Sequence, residues 1–320
     1  MRHFHNVRLI AVAGFLLTAV VDAPSAFARP GTAEIVMEAG TGRVLHARGA
    51  DQSRKPASIA KVMTLFLVFD ALDSGKLRQD QTLKVSRAAA SQPATRLGLR
   101  AGAALSVRNA MRAVAVKSSN DAAVVLAEKL AGDERRFAAL MTAKARAIGM
   151  RNTVFGNATG LPDRRTRTTA RDIATLSRAI LRAHPNRYAL FGRRAIRWNE
   201  RSMANHNHLL GRVTGVDGIK TGYTDRAGYT LAASAKRGNR RLIAVVLGAP
   251  TGRARDDRVG ALLERGFAGR LERSAAVEGE RGTRASAARG TTRTRGAARR
   301  LASLDGIDRA MRRRVEAGLP

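Results

Sequence analysis

The sequence predicts an α+β fold in which strands from both ends of the chain build one sheet and helices form an insertion between them. Three observations lead to this prediction. Strand-like residues cluster near residue 35 and again after residue 229, helical periodicity dominates between them, and a helical pattern closes the region near residue 267. About 240 residues lie between an N-terminal leader and a C-terminal tail, enough for one domain with a sizeable core.

The predicted elements each have a local signal. The hairpin turn at 39–42 is Ala-Gly-Thr-Gly, and the first long helix has apolar side chains around most of its circumference, as expected for a helix buried on nearly all sides. Thr169 and Asp172 are predicted to cap a later helix. In chain order we predict strands at 33–38 and 43–46, helices at 58–72, 121–131, 136–148 and 169–181, strands at 229–235 and 241–247, and a helix at 256–267.

The N-terminus predicts a secretory signal peptide over residues 1–28. Arg2 and Arg8 precede an apolar run at 9–21, and Ala26-Phe27-Ala28 supplies a small-residue cleavage site, so we expect cleavage after Ala28. A retained membrane anchor is the alternative, but the apolar run is short for a bilayer. The expected location is periplasmic or extracytoplasmic, which the absence of cysteine fits without proving it.

The net charge of +33 is extreme and spread along the chain. Such a field attracts polyanions, and an exported protein would meet acidic wall polymers, anionic lipid or peptidoglycan carboxylates more readily than a specific nucleic acid. Arginine as an ordinary solvated surface residue is the alternative, favoured at most positions. Residues 29–270 are predicted as the main domain. Residues 271–320, with 12 arginines and six acids, are predicted as a mostly disordered basic tail that an anionic wall or membrane surface could attract.

Ser58 and Lys61 form the first chemically informative motif. A serine hydroxyl is a poor nucleophile at neutral pH and needs an adjacent base. On the predicted helix the two residues share a face, so Lys61 can be that base if burial and nearby cations lower its pKa. Helical N–H groups near Ser58 can stabilise a developing oxyanion. The alternative is a capping serine followed by a surface lysine.

The second motif, Ser118-Ser119-Asn120, lies in front of the helix predicted at 121–131. The Ser118 hydroxyl and the Asn120 amide can pass a proton to a leaving amine and hold a substrate amide. Capping of the helix by Ser119 or Asn120 is an alternative that is compatible with this role.

The third motif, Lys220-Thr221-Gly222, is predicted on an edge strand opposite the serine. Lys220 can anchor the hydrogen bonds around Ser118, and Thr221 can bind a terminal carboxylate. Gly222 permits close approach of a substrate backbone. The alternative is a surface lysine before a turn, but the three motifs each occur once and in a meaningful order.

The order and spacing of the three motifs resemble the low-molecular-mass penicillin-binding proteins, which are serine-type D-alanyl-D-alanine carboxypeptidases related to the serine β-lactamases. The resemblance covers roughly residues 30–270. It implies a β-lactamase/transpeptidase-like fold, with a mostly antiparallel sheet flanked by helices and a site where the sheet meets a helical subdomain. The further stretches that carry it are 56–64 (PASIAKVMT), 116–123 (VKSSNDAA), 157–172 (NATGLPDRRTRTTARD), 205–210 (NHNHLL) and 218–231 (GIKTGYTDRAGYTL).

The resemblance also implies an activity. A serine D,D-carboxypeptidase would remove the terminal D-alanine from peptidoglycan stem pentapeptides through an acyl-enzyme on Ser58, and β-lactams would acylate and inhibit it. The implied oxyanion hole is formed by the main-chain N–H groups of Ser58 and Tyr223. The implied catalytic residues are Ser58, Lys61, Ser118 and Asn120, and the implied substrate-binding residues are Lys220, Thr221, Gly222 and Tyr223.

Three alternative functions remain at this stage. A D,D-endopeptidase cleaving peptidoglycan cross-links would use the same chemistry, and the motifs do not separate the two. A class A β-lactamase needs a glutamate to activate the deacylating water, whereas the stretch between Glu134 and Glu200 contains only Asp163 and Asp172 as acids. A non-catalytic basic protein that binds the wall or nucleic acid is the third alternative, which the intact motifs disfavour.

No cofactor or metal is predicted. His206 and His208 form a His-x-His pair with no cysteine or acidic partner at a recognised spacing, so we interpret them as structural residues or as part of a substrate rim. The glycine-rich segments also lack the spacing that binds phosphate groups of nucleotides.

Overall fold

The computed structural model describes residues 31–271, so the predicted signal peptide and all of the predicted tail except Leu271 lie outside the described residues. The elements in chain order are β1 (Ala33–Glu38), β2 (Val44–Arg48), a 3₁₀ turn (Ala57–Ile59), α1 (Ala60–Asp73), β3 (Thr82–Lys84), α2 (Arg87–Ala90), β4 (Ala104–Ser106), α3 (Val107–Arg112), a π-helical turn (Ala113–Lys117), α4 (Asn120–Ala131), α5 (Glu134–Ala147), α6 (Ala170–Ala183), α7 (Pro185–Tyr188), a 3₁₀ turn (Ala189–Gly192), β5 (Ala195–Trp198), β6 (Arg201–Ala204), β7 (Val216–Thr224), β8 (Gly228–Arg237), β9 (Arg240–Ala249) and α8 (Gly252–Phe267).

The main sheet has five antiparallel strands in the order β2-β1-β9-β8-β7. β1 pairs with β9 in the register Ala33 to Leu247 and Glu38 to Leu242, which joins the two ends of the domain. β7, which carries Lys220, lies at one edge of this sheet. The predicted α+β class, the mixing of strands from both chain ends and the edge position of this strand are confirmed.

The two faces of the sheet are covered by different helices. Side chains alternate along β9, so Ile243 and Val245 pack toward the large core that includes α1 and α6, whereas Leu242 and Val246 pack toward α8. α1 is buried around nearly its whole circumference, as its sequence predicted. Between β2 and β7 the chain is mainly helical: α4 and α5 pack against α1, and the 3₁₀ turn 57–59 before α1 contacts β7.

Several details differ from the sequence predictions because of local hydrogen bonds. The last helix begins at Gly252, four residues before the predicted start, because the Thr251 side chain accepts a bond from Ala254 N at 3.0 Å. Thr169 caps α6, as predicted, but the Asp172 carboxylate instead accepts bonds from Asn152 N and Thr153 Oγ1. The short β3–β4 and β5–β6 pairs had no clear sequence signal. Over residues 31–271, no helix is both long and apolar enough to cross a bilayer.

Glu34 forms a buried polar junction in this architecture. Its side chain is fully buried near the start of β1 and accepts hydrogen bonds from Arg48, from His46 at 3.2 Å and from Arg258 at 2.6 and 2.9 Å. Burial opposes the charged form, but the bonds from His46, Arg258 and Arg48 outweigh it and hold the Glu34 pKa well below its usual range. The junction therefore ties β1 to β2 and to α8.

Candidate active site

Ser58 and Lys61 form a contacting pair at the start of α1. Ser58 lies half-buried in the 3₁₀ turn that leads into the helix, and Lys61 is completely buried one turn later. The Lys61 Nζ atom lies 3.1 Å from Ser58 Oγ, 2.7 Å from Asn120 Oδ1 and 2.6 Å from the Thr159 carbonyl oxygen. The surface-lysine alternative for this motif is therefore wrong.

The surroundings of Lys61 favour its neutral form. Burial is the largest cause that lowers its pKa well below the usual 10.5, and the nearby charge of Lys220 adds to it. A neutral amine keeps two N–H groups and one lone pair. Asn120 Oδ1 and the Thr159 carbonyl can accept the two N–H groups, which leaves the lone pair directed at the Ser58 hydroxyl. This geometry is suited to a general base.

The loop that carries Ser118 is held in an unusual conformation. The π-helical turn 113–117 ends at Ser118, which adopts a left-handed backbone with φ 63° and is 3% exposed. Thr95 Oγ1 donates to the Ser118 carbonyl at 2.9 Å, and Asn120 Nδ2 donates to the Pro93 carbonyl at 2.9 Å. Non-glycine residues with positive φ persist where surrounding structure fixes them, as these bonds do here.

Ser119 and Asp121 support this loop from behind, a role that the sequence did not indicate. The Ser119 hydroxyl bonds to the Asp121 carboxylate and accepts Leu97 N at 3.1 Å, so its side chain does not cap α4 as one alternative expected. Asp121 also accepts backbone N–H groups from Leu97, Gly98 and Leu99 at 3.0–3.1 Å. These bonds tie the segment 97–99 to the start of α4.

β7 lies directly against the 3₁₀ turn that carries Ser58. A Cβ atom added to Gly222 would lie 2.8 Å from Ser58 N and 2.7 Å from Thr230 Oγ1, so no larger residue fits without displacing the strand or the turn. Glycine is thus required by the fold itself at this point. The Gly222 position therefore lies close to Ser58 N, one of the two main-chain N–H groups implied for the oxyanion hole.

Lys220 and Thr221 are both nearly buried, whereas the Tyr223 side chain is 44% exposed at the rim. Tyr223 stacks on Tyr229 with a 4.3 Å centroid separation and donates its hydroxyl to Asp225 at 2.7 Å. Within the described part of the chain, the Lys220 ammonium hydrogen-bonds to the Thr221 carbonyl at 3.0 Å and not to Ser118. The structure thus shows a buried Lys220 whose charge lowers the pKa of Lys61, without the predicted hydrogen bond to Ser118.

Arg255 is a site residue that the sequence analysis missed. It is 5% exposed at the first turn of α8 and donates to Asp256 Oδ1 at 2.9 Å. Burial, followed by the charge of Arg255, lowers the pKa of Lys220 to about 7. Arg255 lies 35 residues beyond Lys220, and no local pattern links the two, so only the fold brings them together.

His206 and His208 have different surroundings. His206 is half-buried, and burial together with the charges of Lys220 and Lys117 lowers its pKa to about 4, so it is a neutral side chain near the cleft at physiological pH. His208 is largely exposed and lies 3.4 Å from the Asp256 carboxylate. Across residues 31–271, no group of three potential ligands is arranged to hold a metal ion.

The turn at 157–160 supplies the carbonyl that Lys61 contacts. Asn157 Oδ1 accepts Thr159 N and Gly160 N at 3.2 and 2.7 Å, and Glu134 accepts Ala158 N at 3.0 Å. Gly160 has φ +79°, and a Cβ atom there would lie 1.9 Å from the Ala57 carbonyl. Burial raises the pKa of Glu134, but its carboxylate already accepts this backbone bond. Its visible role is to support the turn.

The chain is similar to known proteins over most of its length. Residues 21–251 match a family described as D-alanyl-D-alanine carboxypeptidase. The chain is 36% identical over 260 residues to D-alanyl-D-alanine carboxypeptidase DacF of Bacillus subtilis (strain 168), a match that covers 77% of this chain and 67% of the relative. Matches to two further curated relatives cover 65% and 62% of their lengths.

Solved structures give the same result. Penicillin binding protein 5 from Haemophilus influenzae superposes with a TM-score of 0.71 at 35% identity, over 74% of this chain and 70% of that one. Penicillin-binding protein D2 from Listeria monocytogenes in its cefotaxime-bound form gives a TM-score of 0.68 at 32% identity, over 73% of this chain and 96% of that one. The predicted β-lactamase/transpeptidase-like fold is confirmed.

Proposed function

Because the chain belongs to the D-alanyl-D-alanine carboxypeptidase family, we propose that it removes the terminal D-alanine from peptidoglycan stem pentapeptides through an acyl-enzyme on Ser58. The observation that carries this proposal is the fully buried Lys61, whose amine lies 3.1 Å from Ser58 Oγ and has two fixed acceptors for the two protons of its neutral form. A nucleophile and a base in contact form the minimal unit for acyl transfer.

Acylation follows from this arrangement. Lys61 takes the Ser58 proton as Ser58 Oγ bonds to the scissile carbonyl carbon, and the resulting oxyanion is stabilised by the N–H groups of Ser58 and Tyr223. When the C–N bond breaks, the leaving amine of D-alanine receives a proton through the Ser118 hydroxyl. Thr221 and the Lys220 charge hold the terminal carboxylate, and Asn120 orients the substrate amide.

Deacylation reverses the proton transfers. Departure of D-alanine leaves room for water, Lys61 accepts a proton from that water, and the ester to Ser58 is hydrolysed. A β-lactam would follow the same acylation step, but its leaving amine stays tethered in the cleft and obstructs water. The cefotaxime-bound Listeria protein supports extending β-lactam binding to this chain.

Intact-protein mass spectrometry after benzylpenicillin tests the nucleophile. We expect one stable adduct on the wild type and none on Ser58→Ala or Lys61→Ala, because loss of either member of the unit removes nearly the whole effect. Ser53→Ala is the matched control, since Ser53 is an exposed serine five residues upstream. An adduct on Ser58→Ala would place the nucleophile elsewhere.

D-Alanine release from a soluble pentapeptide tests the substrate, and a purified cross-linked peptide dimer tests the endopeptidase alternative in parallel. The proposal requires the wild type to release D-alanine from the pentapeptide. Faster cleavage of the dimer than of the pentapeptide would instead favour the endopeptidase. Rapid hydrolysis of benzylpenicillin without a lasting adduct would favour a β-lactamase.

We also propose that the protein acts outside the cytoplasm, after cleavage behind Ala28. The basic region, apolar run and small-residue site at the N-terminus support this proposal. The proposed substrate, peptidoglycan, also lies outside the cytoplasm. N-terminal sequencing of the mature protein should read Arg29 first. A mature protein that begins at Met1 would contradict it.

A further inference from the structure

A strongly basic cleft lies beside the proposed active site. It has a volume of about 360 Å³, and no aspartate or glutamate lines it. We refer to it as the basic cleft and define it by its six cationic residues. These are Arg54, Lys55, Arg164, Arg165, Arg167 and Arg226.

The charges of the basic cleft are mostly uncompensated. Arg54 donates to the Ser53 carbonyl, the Gly31 carbonyl and the Gln52 side chain, and its buried Nε atom has no partner among the described residues. Lys55 donates to the carbonyls of Asp163, Arg164 and Thr166, so its partners are neutral as well. Arg165 is the exception, with Asp163 at 3.0 Å.

The cations also lie close enough to affect one another. Burial, followed by the charges of Arg226 and Arg167, lowers the pKa of Lys55, although Asp163 opposes this change. Arg54 and Lys55 are partly buried and the other four cations are exposed, so an anion bound in the cleft would gain charge-assisted hydrogen bonds from several of them. The cleft therefore favours an anionic ligand.

A narrow crevice of about 20 Å³ shares Lys55 and Arg226 with the basic cleft and is lined by Ala57, the residue before Ser58. Asp163 and Thr224 also line this crevice. Lys55 precedes Ser58 by three residues, and Arg226 follows Tyr223 by three. The basic cleft therefore lies near the C-terminal end of β7.

The direction of a bound substrate follows from β7. If Thr221 holds the terminal carboxylate and the Tyr223 N–H binds the scissile carbonyl, the two groups are separated by two strand residues, about 7 Å. The rest of the peptide then continues past Thr224 toward Arg226. The part of the substrate that remains on Ser58 as the acyl group would therefore reach the basic cleft.

We infer that the basic cleft binds carboxylates of the stem peptide on the acyl side of the scissile bond, and so selects substrates that carry free carboxylates there. The inference rests on the proposed function. It gives part of the unusually high arginine content a specific role, because Arg226 lies in the direction in which the acyl part of the substrate would continue.

Two pentapeptides ending in D-Ala-D-Ala test this inference. One carries free carboxylates on the acyl side of the scissile bond, and the other carries carboxamides at the same positions. The measured quantity is the ratio of kcat/KM for the carboxylate peptide to that for the carboxamide peptide. We expect Arg226→Gln to lower this ratio about threefold and Arg226→Glu to lower it roughly tenfold or more. Rising salt should bring the wild-type ratio toward one.

Arg226 suits the test because its exposed side chain lies in the β7–β8 turn, which is held by bonds from Ala227 N to Thr224. Arg108→Gln is the matched control, since it removes one exposed arginine on α3, outside the basic cleft. Thermal melting of each variant checks folding independently of activity.

The outcomes separate this inference from the proposed function. If the wild type turned over neither peptide, or formed no penicillin adduct, the proposed function would be contradicted. Normal turnover with equal ratios in wild type and Arg226→Glu would overturn the cleft assignment alone. A glycerol phosphate oligomer is the second probe. Suppose that the oligomer inhibits turnover by the wild type and that Arg226→Glu abolishes this inhibition. If the ratio of kcat/KM for the two peptides is then unchanged, the ligand is a phosphate polymer and the stem-peptide assignment is wrong.

Discussion

Lys61 and Lys220 show how burial prepares individual residues for chemistry. Both are buried, and each has a pKa below the usual lysine value, with Lys220 at about 7. The positive charge of Lys220 also favours the neutral form of Lys61. In the proposed mechanism a neutral Lys61 is the base and a charged Lys220 attracts the substrate carboxylate, so both states are needed in the same pH range.

A bell-shaped dependence of kcat/KM on pH is the first expected outcome. Below the optimum, protonation of Lys61 removes the base. Above about pH 7, Lys220 loses its proton in the free enzyme and binds carboxylate less well. Steady-state kinetics on a soluble pentapeptide from pH 5 to 10 would measure both limbs. A flat profile from pH 7 to 10 would contradict the role of the Lys220 charge.

Arg255 should set the position of the alkaline limb. Replacing Arg255 by Gln together with Asp256 by Asn removes a positive neighbour of Lys220 without leaving its buried partner charged. The Lys220 pKa should then rise, and the alkaline limb of kcat/KM should move to higher pH. The exposed pair Arg253 and Asp257 gives the matched double control, for which no movement is expected.

Gly222→Ala is expected to reduce acylation by at least roughly tenfold, because the added Cβ would lie 2.8 Å from Ser58 N and must separate β7 from the nucleophile. Gly252→Ala is the control, since its Cβ would make an ordinary 3.5 Å contact with Tyr229. The rate of benzylpenicillin adduct formation measures both. Wild-type acylation by Gly222→Ala would contradict the proposed packing of strand against turn.

At the residue scale, the sequence predicted the side chains of the site better than their supports. Ser58, Lys61 and Asn120 come together as their motifs indicated. The Thr159 carbonyl was not predictable from a motif. Every residue has a main-chain carbonyl, so the sequence does not mark which one will contact Lys61. The proximity of Arg255 to Lys220 depends on the packing of α8 against the sheet, which spacing along the chain does not encode.

At the scale of elements, the strong periodic patterns were reliable and the short elements were not. β1 has the predicted bounds because Ile35 and Val36 favour a strand at its centre and a glycine turn follows it. β3 and β4 have three residues each, too few for a period to be detected. The π-helical turn before Ser118 follows from packing around the motif, and helical propensity does not distinguish it from an α-helix.

Glu34→Ala is expected to destabilise the protein by about 3 kcal/mol, because it leaves the cations from β2 and α8 without their buried partner. Asp257→Ala, which removes one member of an exposed pair, should change stability by less than about 0.5 kcal/mol. Urea unfolding at pH 7 measures both free energies. Equal stabilities of the two variants would contradict the role of the junction.

The same junction predicts a pH dependence of stability. The Glu34 pKa is depressed on folding, so its contribution is present above the usual value of 4.5 and is lost as pH falls through the folded value. The wild type should therefore lose more stability than Glu34→Ala on acidification from pH 5 to pH 3. Parallel curves for the two proteins would show that Glu34 is not the titrating group.

At the scale of the whole molecule, the sheet and the two cores lie within residues 31–271, as do all the proposed catalytic residues. Leu271, assigned to the tail from composition, is buried with the α8 core cluster. A truncation that preserves the packed domain should therefore end after Leu271. The remaining residues, 272–320, are rich in arginine and poor in large apolar residues, and we propose that their charge favours attachment to anionic envelope material.

Truncation after Leu271 should leave D-alanine release from a soluble pentapeptide nearly unchanged, because no residue proposed to contact the substrate is removed. Binding to purified sacculi should weaken instead, and the difference from the full-length protein should fade at high salt, since screening acts on exposed charges. Turnover of the soluble pentapeptide and pelleting with sacculi are measured for both proteins at low and high salt. Loss of soluble-substrate turnover, or equal salt-independent pelleting of both forms, would contradict a tail that acts through charge alone.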